Sequence, residues 1–196
     1  MRLWLVALIL LCLGAGNKRI VVVRGQQFPS TIAIVVDNSG SMDGKPYQTA
    51  VGYAMWVAEQ AGDEARVRFA VFGDDLTWQD GDWIKLPDKE ALEASKKWLI
   101  AQGTGGATHM ADAIAQVLKL TASPLGVIIV TDENPSEEIE ATCAKITLAN
   151  KSRKEPAVIG VIGVYPDAID KERLGVFLAT ETGGTYLKIV EKENKP

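Results

Sequence analysis

Cysteine and histidine are scarce in this sequence, which restricts the chemistry open to it. Of its 196 residues, two are Cys and one is His. Cys12 lies in an apolar N-terminal segment, so a chain that loses this segment keeps only Cys143 and forms no internal disulfide. We expect Cys143 to be a small buried apolar residue of a helix and not a reactive thiol. The fold must then be stabilised by its apolar core.

Internal repeats, low-complexity tracts and an excess of positive charge are also absent from the sequence. The formal net charge is −4, whereas a general nucleic-acid-binding protein carries a basic stripe, so we expect no nucleic-acid partner. Apolar residues make up 47% of the chain and charged residues 23%, which is the balance of an ordinary globular protein. A length of 196 residues suits one domain with a sizeable core.

A long hydrophobic run stands near the N-terminus, where Arg2 precedes the apolar stretch 3–16. One positive charge, an apolar centre and small residues at the end are typical of a secretory signal. The stretch is short for a membrane span, which needs about 20 apolar residues. Lys18 and Arg19 lie just beyond it, and positive charge there opposes translocation. We predict a signal peptide at 1–16 and a secreted or periplasmic protein. An uncleaved membrane anchor, a misassigned start and an unusual core segment are the alternatives.

Segments typical of strands and of helices alternate along the rest of the sequence. Short apolar runs predict buried strands. These strands are predicted at 31–37, 66–73, 126–132 and 157–164, and a final strand is predicted at 185–190. Apolar residues at helical spacing predict helices at 47–60, 89–100, 110–118, 136–150 and 170–180. The alternation predicts the α/β class, with a doubly wound, mostly parallel sheet covered by helices on both faces.

Turn and cap residues complete this assignment. Residues 76–86 are predicted to form a hairpin bent at Asp80-Gly81, and residues 25–30 a loop that enters the first strand. Asp88 is predicted to cap the helix that follows it. The chain is thus divided into a signal peptide (1–16), an N-terminal segment (17–30), one domain (31–190) and a polar C-terminal tail (191–196).

Oxygen-bearing side chains follow the first apolar strand. That strand ends at Asp37, and Ser39 and Ser41 follow at alternate positions, where extended side chains point the same way. One carboxylate and two hydroxyls are ligands that a hard cation such as Mg²⁺ prefers. Taken alone, the segment is explained nearly as well by a Ser-rich turn that caps the next helix.

Further segments bring oxygen ligands to other strand ends. The glycine-rich loop 103–108 ends in Thr108, and the strand 126–132 ends in Asp132. Because ligands bind at the carboxyl ends of parallel strands, we expect these residues to share one site with the first segment. The loop lacks the Lys of a Walker A phosphate loop, which disfavours phosphate binding. Glu133 is interpreted as a solvated residue at the strand end, with a spare carboxylate for the site as the alternative.

Three motifs in order, Asp37-x-Ser39-x-Ser41, Gly-Gly-Ala-Thr108 and Val-Ile-Ile-Val-Thr-Asp132, resemble the von Willebrand factor type A domain with a metal-ion-dependent adhesion site. The resemblance covers roughly residues 31–190. It implies a central, mostly parallel sheet with one short antiparallel edge strand and flanking helices.

The resemblance also implies the roles of the site residues. Ser39 and Ser41 would bind the metal, Mg²⁺ or Mn²⁺, directly. Thr108 would bind directly or through water, and Asp37 and Asp132 mainly through water. The open metal position would take an Asp or Glu carboxylate from a partner protein. The chain departs from many relatives at Asn38 and at Glu133, where a glycine often follows the Asp. The added negative charge of Glu133 could alter metal affinity or partner preference.

The sequence therefore predicts a metal-dependent protein-binding module and no enzyme. A Ser-His-Asp hydrolase would need His109 to reach one of the two serines, and nothing in the spacing supports this. The aspartyl-phosphate phosphatases are similar to a pattern that has a second Asp two residues after the first. Ser39 occupies that position here, which disfavours this class of enzyme. The alternatives are a scaffold of this fold with a metal-independent interface and a metal-dependent hydrolase or phosphatase. A membrane partner is expected only if the N-terminal segment is an uncleaved anchor.

Overall fold

The computed structural model describes residues 20–23, 26–166 and 172–190. The predicted signal peptide (1–16) and the predicted polar tail (191–196) lie outside the described residues. Within the described part of the chain, no helix has the length and apolar character needed to cross a membrane.

Strands and helices alternate in the structure, as the apolar pattern predicts. The strands are β1 (Ile20–Val23), β2 (Gln26–Pro29), β3 (Thr31–Asp37), β4 (Arg66–Phe72), β5 (Leu76–Trp78), β6 (Ile84–Lys85), β7 (Gly126–Thr131), β8 (Val158–Val164) and β9 (Tyr186–Ile189). The helices are α1 (Lys45–Gln60), α2 (Lys89–Gln102), α3 (Met110–Val117), α4 (Ile139–Lys151) and α5 (Glu172–Thr182). A 3₁₀ turn, Gly40–Met42, lies between β3 and α1.

The main sheet has the strand order β5-β4-β3-β7-β8-β9, with β6 also paired to β4. The strands from β4 to β9 in this order are parallel, and β5 and β6 are antiparallel to β4 at one edge. This arrangement confirms the predicted fold class. The chain places β4 on one side of β3 and β7 on the other, so strand order reverses there. Ligands of such sheets bind at this point, beyond the carboxyl ends of the strands.

Both faces of the sheet are buried, because the side chains of β3 alternate between two apolar clusters. Ile32, Ile34 and Val36 pack with α1 and α2. Ala33 and Val35 pack with α3, α4 and α5. A strand that is buried on both faces needs an unbroken apolar run, which explains the pattern of this segment. Polar side chains can therefore enter the sheet only at its ends.

Local predictions at Cys143 and Asp88 are confirmed. Cys143 is buried in α4, and burial raises the pKa of its thiol to about 11, so the thiol stays protonated at neutral pH. The Asp88 carboxylate accepts a hydrogen bond from the Ala91 N–H at 2.9 Å and caps α2.

The loop predicted at residues 25–30 is wrong. Residues Gln26–Pro29 form β2, which pairs antiparallel with β1. Phe28 in this strand is 1% exposed and covers Gly160 of β8, where an added Cβ would lie 2.9 Å from the Phe28 ring. The sequence shows no strand pattern here because pairing with β1 and one buried ring, not alternation, define the strand.

The hairpin predicted at residues 76–86 is also wrong. β5 and β6 do not pair with each other, and both pair with the outer edge of β4. The Gln79 N–H donates to the Phe69 carbonyl at 3.0 Å and the Leu86 N–H to the Ala65 carbonyl at 2.9 Å, so the pairing extends beyond both strands. The segment is one interrupted edge strand, because β4 offers backbone partners along its whole length.

Candidate metal site

The Asp37 carboxylate lies at the carboxyl end of β3 and is 0% exposed. Its Oδ1 accepts a hydrogen bond from the Ser39 N–H at 2.9 Å, and its Oδ2 accepts one from the Thr131 hydroxyl at 2.7 Å. Both donors are neutral. They fix the orientation of the carboxylate without balancing its charge.

Burial raises the pKa of Asp37 from its usual 3.8 to about 6, because the charged form loses its hydration. Hydrogen bonds from Ser39 and Thr131 oppose this rise, and the negative charge of Asp132 adds to it. No Lys, Arg or His of the described chain contributes to this balance. A carboxylate in this setting favours a cation, since a positive charge offsets the lost hydration.

The metal-free protein is therefore expected to lose stability as pH rises from about 4 to about 6. In this range the folded protein retains the Asp37 proton, whereas the unfolded chain has the usual pKa of 3.8. Below the range both states are protonated and no penalty applies. Above it both are ionised, and the folded state carries the full cost of about 2 to 3 kcal/mol. Urea unfolding in EDTA across this range measures the effect, and Asp37→Asn should remove it. Identical pH profiles for wild type and variant would contradict the expectation.

The hydroxyl oxygens of Ser39 and Ser41 lie 3.2 Å apart, brought together by the 3₁₀ turn. Ser39 is buried and Ser41 is exposed. Ser39 precedes this turn without a side-chain cap hydrogen bond, and the N-cap of α1 is Gly44. The alternative of a Ser-rich capping turn is therefore wrong. The two hydroxyl oxygens are neighbouring candidate ligands for a metal ion.

The glycine-rich loop that ends at Thr108 is joined to the first segment by backbone hydrogen bonds. The Gly105 N–H donates to the Asn38 carbonyl at 2.9 Å, and the Gly40 N–H donates to the Gly106 carbonyl at 3.2 Å. Gly106 has φ +74, a conformation that glycine adopts without strain. These bonds hold the loop alongside the serine pair, and Thr108 itself is 4% exposed.

Thr108 also connects this loop to the segment that follows β7. Its N–H donates to the Ser136 hydroxyl at 2.8 Å, and its carbonyl accepts from the Ser136 N–H at 3.0 Å. Asp132, directly after β7, is half-buried, and its Oδ1 accepts from the Asn134 N–H at 3.1 Å. The three predicted segments therefore meet at one end of the sheet, where strand order reverses.

Glu133 is not the solvated residue that the sequence predicts. It is 0% exposed and adopts a left-handed backbone with φ 61, which costs a residue with a side chain about 1 kcal/mol. Its carboxylate accepts hydrogen bonds from the Tyr186 hydroxyl at 2.6 Å and the Gly175 N–H at 2.8 Å. The prediction is wrong because partners from β9 and α5, distant in sequence, make burial of this side chain possible.

His109 precedes α3, is exposed and makes no side-chain cap hydrogen bond. It lines a polar cleft with Asp74, Asp75 and Asp112. No hydrogen bond in the described structure joins its imidazole to Ser39, so the structure gives no support to a Ser-His pair.

The donors at this end of the sheet suit a hard divalent cation. The predicted set contains oxygen only, with carboxylates at Asp37 and Asp132 and hydroxyls at the Ser and Thr positions. The described residues contain no cluster of three or more His, Cys, Asp or Glu side chains suited to a metal, so most ligands of this set would be neutral hydroxyls. A cation bound here would keep much of its charge for another anion, because few of its donors are charged.

Supporting residues of the site escaped prediction. The sequence pattern places Thr131 in the strand alone, although a hydroxyl that ends an apolar run is a signal for a role at the strand end. Asp74 accepts from the Ala107 N–H at 2.8 Å and so holds the glycine-rich loop. The contacts of Asp74 and Ser136 depend on loops far apart in sequence and leave no local signal.

Sequence and structure comparisons relate the chain to known proteins. The family model that matches the sequence is the von Willebrand factor type A domain, over residues 31–195. No curated protein sequence matches the chain at a significant level.

The fold is similar to several solved structures. An aerotolerance-related membrane protein from Bacteroides fragilis has a TM-score of 0.59 and 17% identity, over 81% of this chain and 90% of that chain. A von Willebrand factor type A protein from Catenulispora acidiphila has a TM-score of 0.65 and 20% identity, over 85% of this chain and 40% of that chain. The PilB minor pilin from Streptococcus sanguinis has a TM-score of 0.60 and 12% identity, over 87% of this chain and 58% of that chain. At these identities the similarity shows the fold alone.

Proposed function

Since the chain belongs to the von Willebrand factor type A domain family, whose members typically mediate protein–protein interactions, we propose that it is a metal-dependent protein-binding module. The proposed metal is one Mg²⁺ or Mn²⁺. Ser39 and Ser41 are its proposed direct ligands, and Thr108 is a ligand directly or through water. Asp37 and Asp132 are proposed to act mainly through water.

The observation that carries this proposal is the environment of Asp37. Its carboxylate is 0% exposed, is held by two neutral donors, and has its pKa raised to about 6 by burial. Such a group destabilises the metal-free fold at neutral pH, and proteins retain such costs mainly at functional sites. The neighbouring hydroxyl pair, 3.2 Å apart, supplies further oxygen donors at the same strand end.

Ser39, Ser41 and Thr108, with Asp37 and Asp132 mainly through water, would hold the divalent cation, which would supply an attraction for a carboxylate oxygen, such as that of an Asp or Glu side chain of a partner protein. The chain's own residues hold the donors in place. The Thr131 hydroxyl and the Ser39 N–H orient Asp37, and the bonds between Thr108 and Ser136 fix the neighbouring loop. His109 is exposed and no hydrogen bond of the described residues joins it to Ser39, so the arrangement gives no support to a Ser-His hydrolase.

We further propose that the protein acts outside the cytoplasm. The support is the apolar stretch 3–16 with the preceding Arg2; residues 1–16 are predicted to be a secretory signal or, alternatively, a membrane anchor. Two proteins of similar fold are described as a membrane protein and a minor pilin.

Titration calorimetry of the wild-type chain is expected to show one site for Mg²⁺ or Mn²⁺, and metal should raise the melting temperature. Ser39→Ala is expected to weaken binding by about 10-fold or more, because it removes a buried oxygen donor. Ser123→Ala is the matched control. Ser123 precedes the amino end of β7, at the opposite end of that strand from Asp132, and its hydroxyl donates to Glu155 at 2.7 Å. The variant should therefore bind metal as the wild type does.

A pull-down with Mg²⁺ or with EDTA tests the partner half of the proposal. A partner that is retained with Mg²⁺ and lost both with EDTA and in Ser39→Ala would support it. Absence of any metal response in the wild type would remove its basis. Retention of the same partner in EDTA would instead favour a metal-independent interface. A metal-dependent turnover that disappears in Ser39→Ala would favour a hydrolase or phosphatase.

A further inference from the structure

The buried Glu133 carboxylate lies next to the candidate metal site, in a cluster with the half-buried Tyr186 and with Gly163 and Gly175. The members come from the turn after β7 and from β8, α5 and β9. The Glu133 carboxylate accepts from the Tyr186 hydroxyl at 2.6 Å and from the Gly175 N–H at 2.8 Å. The glycines provide the space. A Cβ added at Gly163 would lie 2.2 Å from Glu133 Oε1, and one at Gly175 would lie 2.5 Å from the Tyr186 ring.

The backbone of the same turn reaches the metal site. The Glu133 N–H donates to Thr131 Oγ1 at 3.0 Å, and this hydroxyl donates to Asp37 at 2.7 Å. Asp132 accepts from the Asn134 N–H at 3.1 Å, which closes a turn around the left-handed Glu133. A continuous series of hydrogen bonds therefore runs from β9 and α5, through Glu133, to Asp37.

The left-handed backbone indicates that the Glu133 side chain has a role. A glycine would adopt φ 61 without strain, so a glutamate here offers no local advantage. Strained backbone persists where the surroundings hold it in place, and such positions concentrate at functional sites. The hydroxyl of Tyr186 and the N–H of Gly175 provide that restraint from two separate elements.

We propose that Glu133 is a positioning residue that ties the metal-site carboxylates Asp37 and Asp132 to α5 and β9. The inference rests on the proposed function, because it assumes that these carboxylates hold a cation. Without the Tyr186 hydroxyl, the buried Glu133 carboxylate has fewer donors, and the turn 131–134 loses its fixed position. Metal binding and the order of this turn are then coupled, and the coupling acts in both directions.

Tyr186→Phe tests the proposal by removing one hydroxyl. Calorimetry with Mn²⁺ is expected to show about 10-fold weaker binding, the size found when groups that orient metal ligands are lost. Tyr53→Phe is the matched control, since Tyr53 is also half-buried but stacks edge-on against Trp56 on α1, with ring centroids 6.1 Å apart. It should bind Mn²⁺ within about twofold of the wild type. Circular dichroism must show all variants folded at the titration temperature.

A double-mutant cycle separates positioning from general loosening of the fold. Glu133→Gln keeps the shape of the side chain but places an amide N–H₂ group among hydrogen-bond donors, so it should also weaken Mn²⁺ binding by about 10-fold. If both residues act through one hydrogen bond, the double variant loses little more than either single variant. Fully additive losses would overturn the proposal, as would unchanged affinity in Tyr186→Phe.

Hydrogen exchange of the metal-free proteins keeps this inference separate from the proposed function. Peptides covering residues 131–138 should exchange faster in Tyr186→Phe than in wild type or Tyr53→Phe. If the wild type binds no metal, the proposed function fails, and this measurement still decides whether Tyr186 positions the turn. Equal exchange in all three proteins would overturn the inference even if wild-type metal binding were normal.

Discussion

Asp37→Asn is expected to weaken metal binding strongly and at the same time to stabilise the metal-free protein at neutral pH. The Asn amide has nearly the same shape as the carboxylate and retains an oxygen that can accept from the Ser39 N–H. It carries no charge, so the cost of burying an anion disappears. From the pKa of about 6 for Asp37, the free energy of unfolding should rise by about 1 to 3 kcal/mol, which allows for a less favourable hydrogen bond to Thr131.

The metal affinity should change in the opposite direction, by about 100-fold or more, because removing a negative charge next to a dication costs more than removing a neutral ligand. Calorimetry with Mg²⁺ and urea unfolding in EDTA measure the two effects separately. Asp63→Asn is the matched control, because Asp63 is exposed in the turn after α1. It should change neither quantity. Loss of stability together with retained metal affinity in Asp37→Asn would mean that the carboxylate has only a structural role.

Local patterns made much of this fold predictable. The runs 32–36 and 127–130 are apolar without interruption because each strand is buried on both faces, and such runs mark the centre of a parallel sheet. The polar residues at the ends of these strands then had to lie at one edge of the sheet. Asp37, Ser39 and Ser41 were predictable together, because their spacing is a property of five consecutive residues.

The features that escaped prediction depend on contacts between distant segments. β2 exists because it pairs with β1 and because Phe28 fits over Gly160, neither of which a local pattern shows. Glu133 resembles a solvated acid at a strand end when only its neighbours in sequence are considered. Its burial depends on a hydroxyl and a backbone N–H more than 40 residues away, at separations of 53 and 42 residues. Sequence patterns report local spacing and burial, whereas polar partners from other elements appear only in the folded chain.

Gly184→Ala is expected to cause the largest loss of stability of any single change considered for this chain. A Cβ at Gly184 would lie 1.9 Å from the Ile159 carbonyl oxygen and 2.5 Å from its carbonyl carbon, both backbone atoms of β8. No side-chain rotation can relieve this contact, so the turn between α5 and β9 must move away from the sheet. The Gly184 N–H also donates to the Ala179 carbonyl at 2.9 Å, and this bond would be strained.

We expect Gly184→Ala to lower the free energy of unfolding by about 4 kcal/mol or more, which corresponds to a melting temperature lower by about 10 °C. The matched controls are Gly183→Ala and Gly52→Ala, where an added Cβ meets nothing within 4 Å. Gly183 has φ +70, so Gly183→Ala should lower the free energy of unfolding by about 1 kcal/mol. Gly52→Ala in α1 should raise it by about 0.5 to 1 kcal/mol. Because Tyr186 follows in β9, Gly184→Ala should weaken Mn²⁺ binding even below its melting temperature. If stability falls while affinity stays at the wild-type value, β9 supports the fold without positioning the metal site.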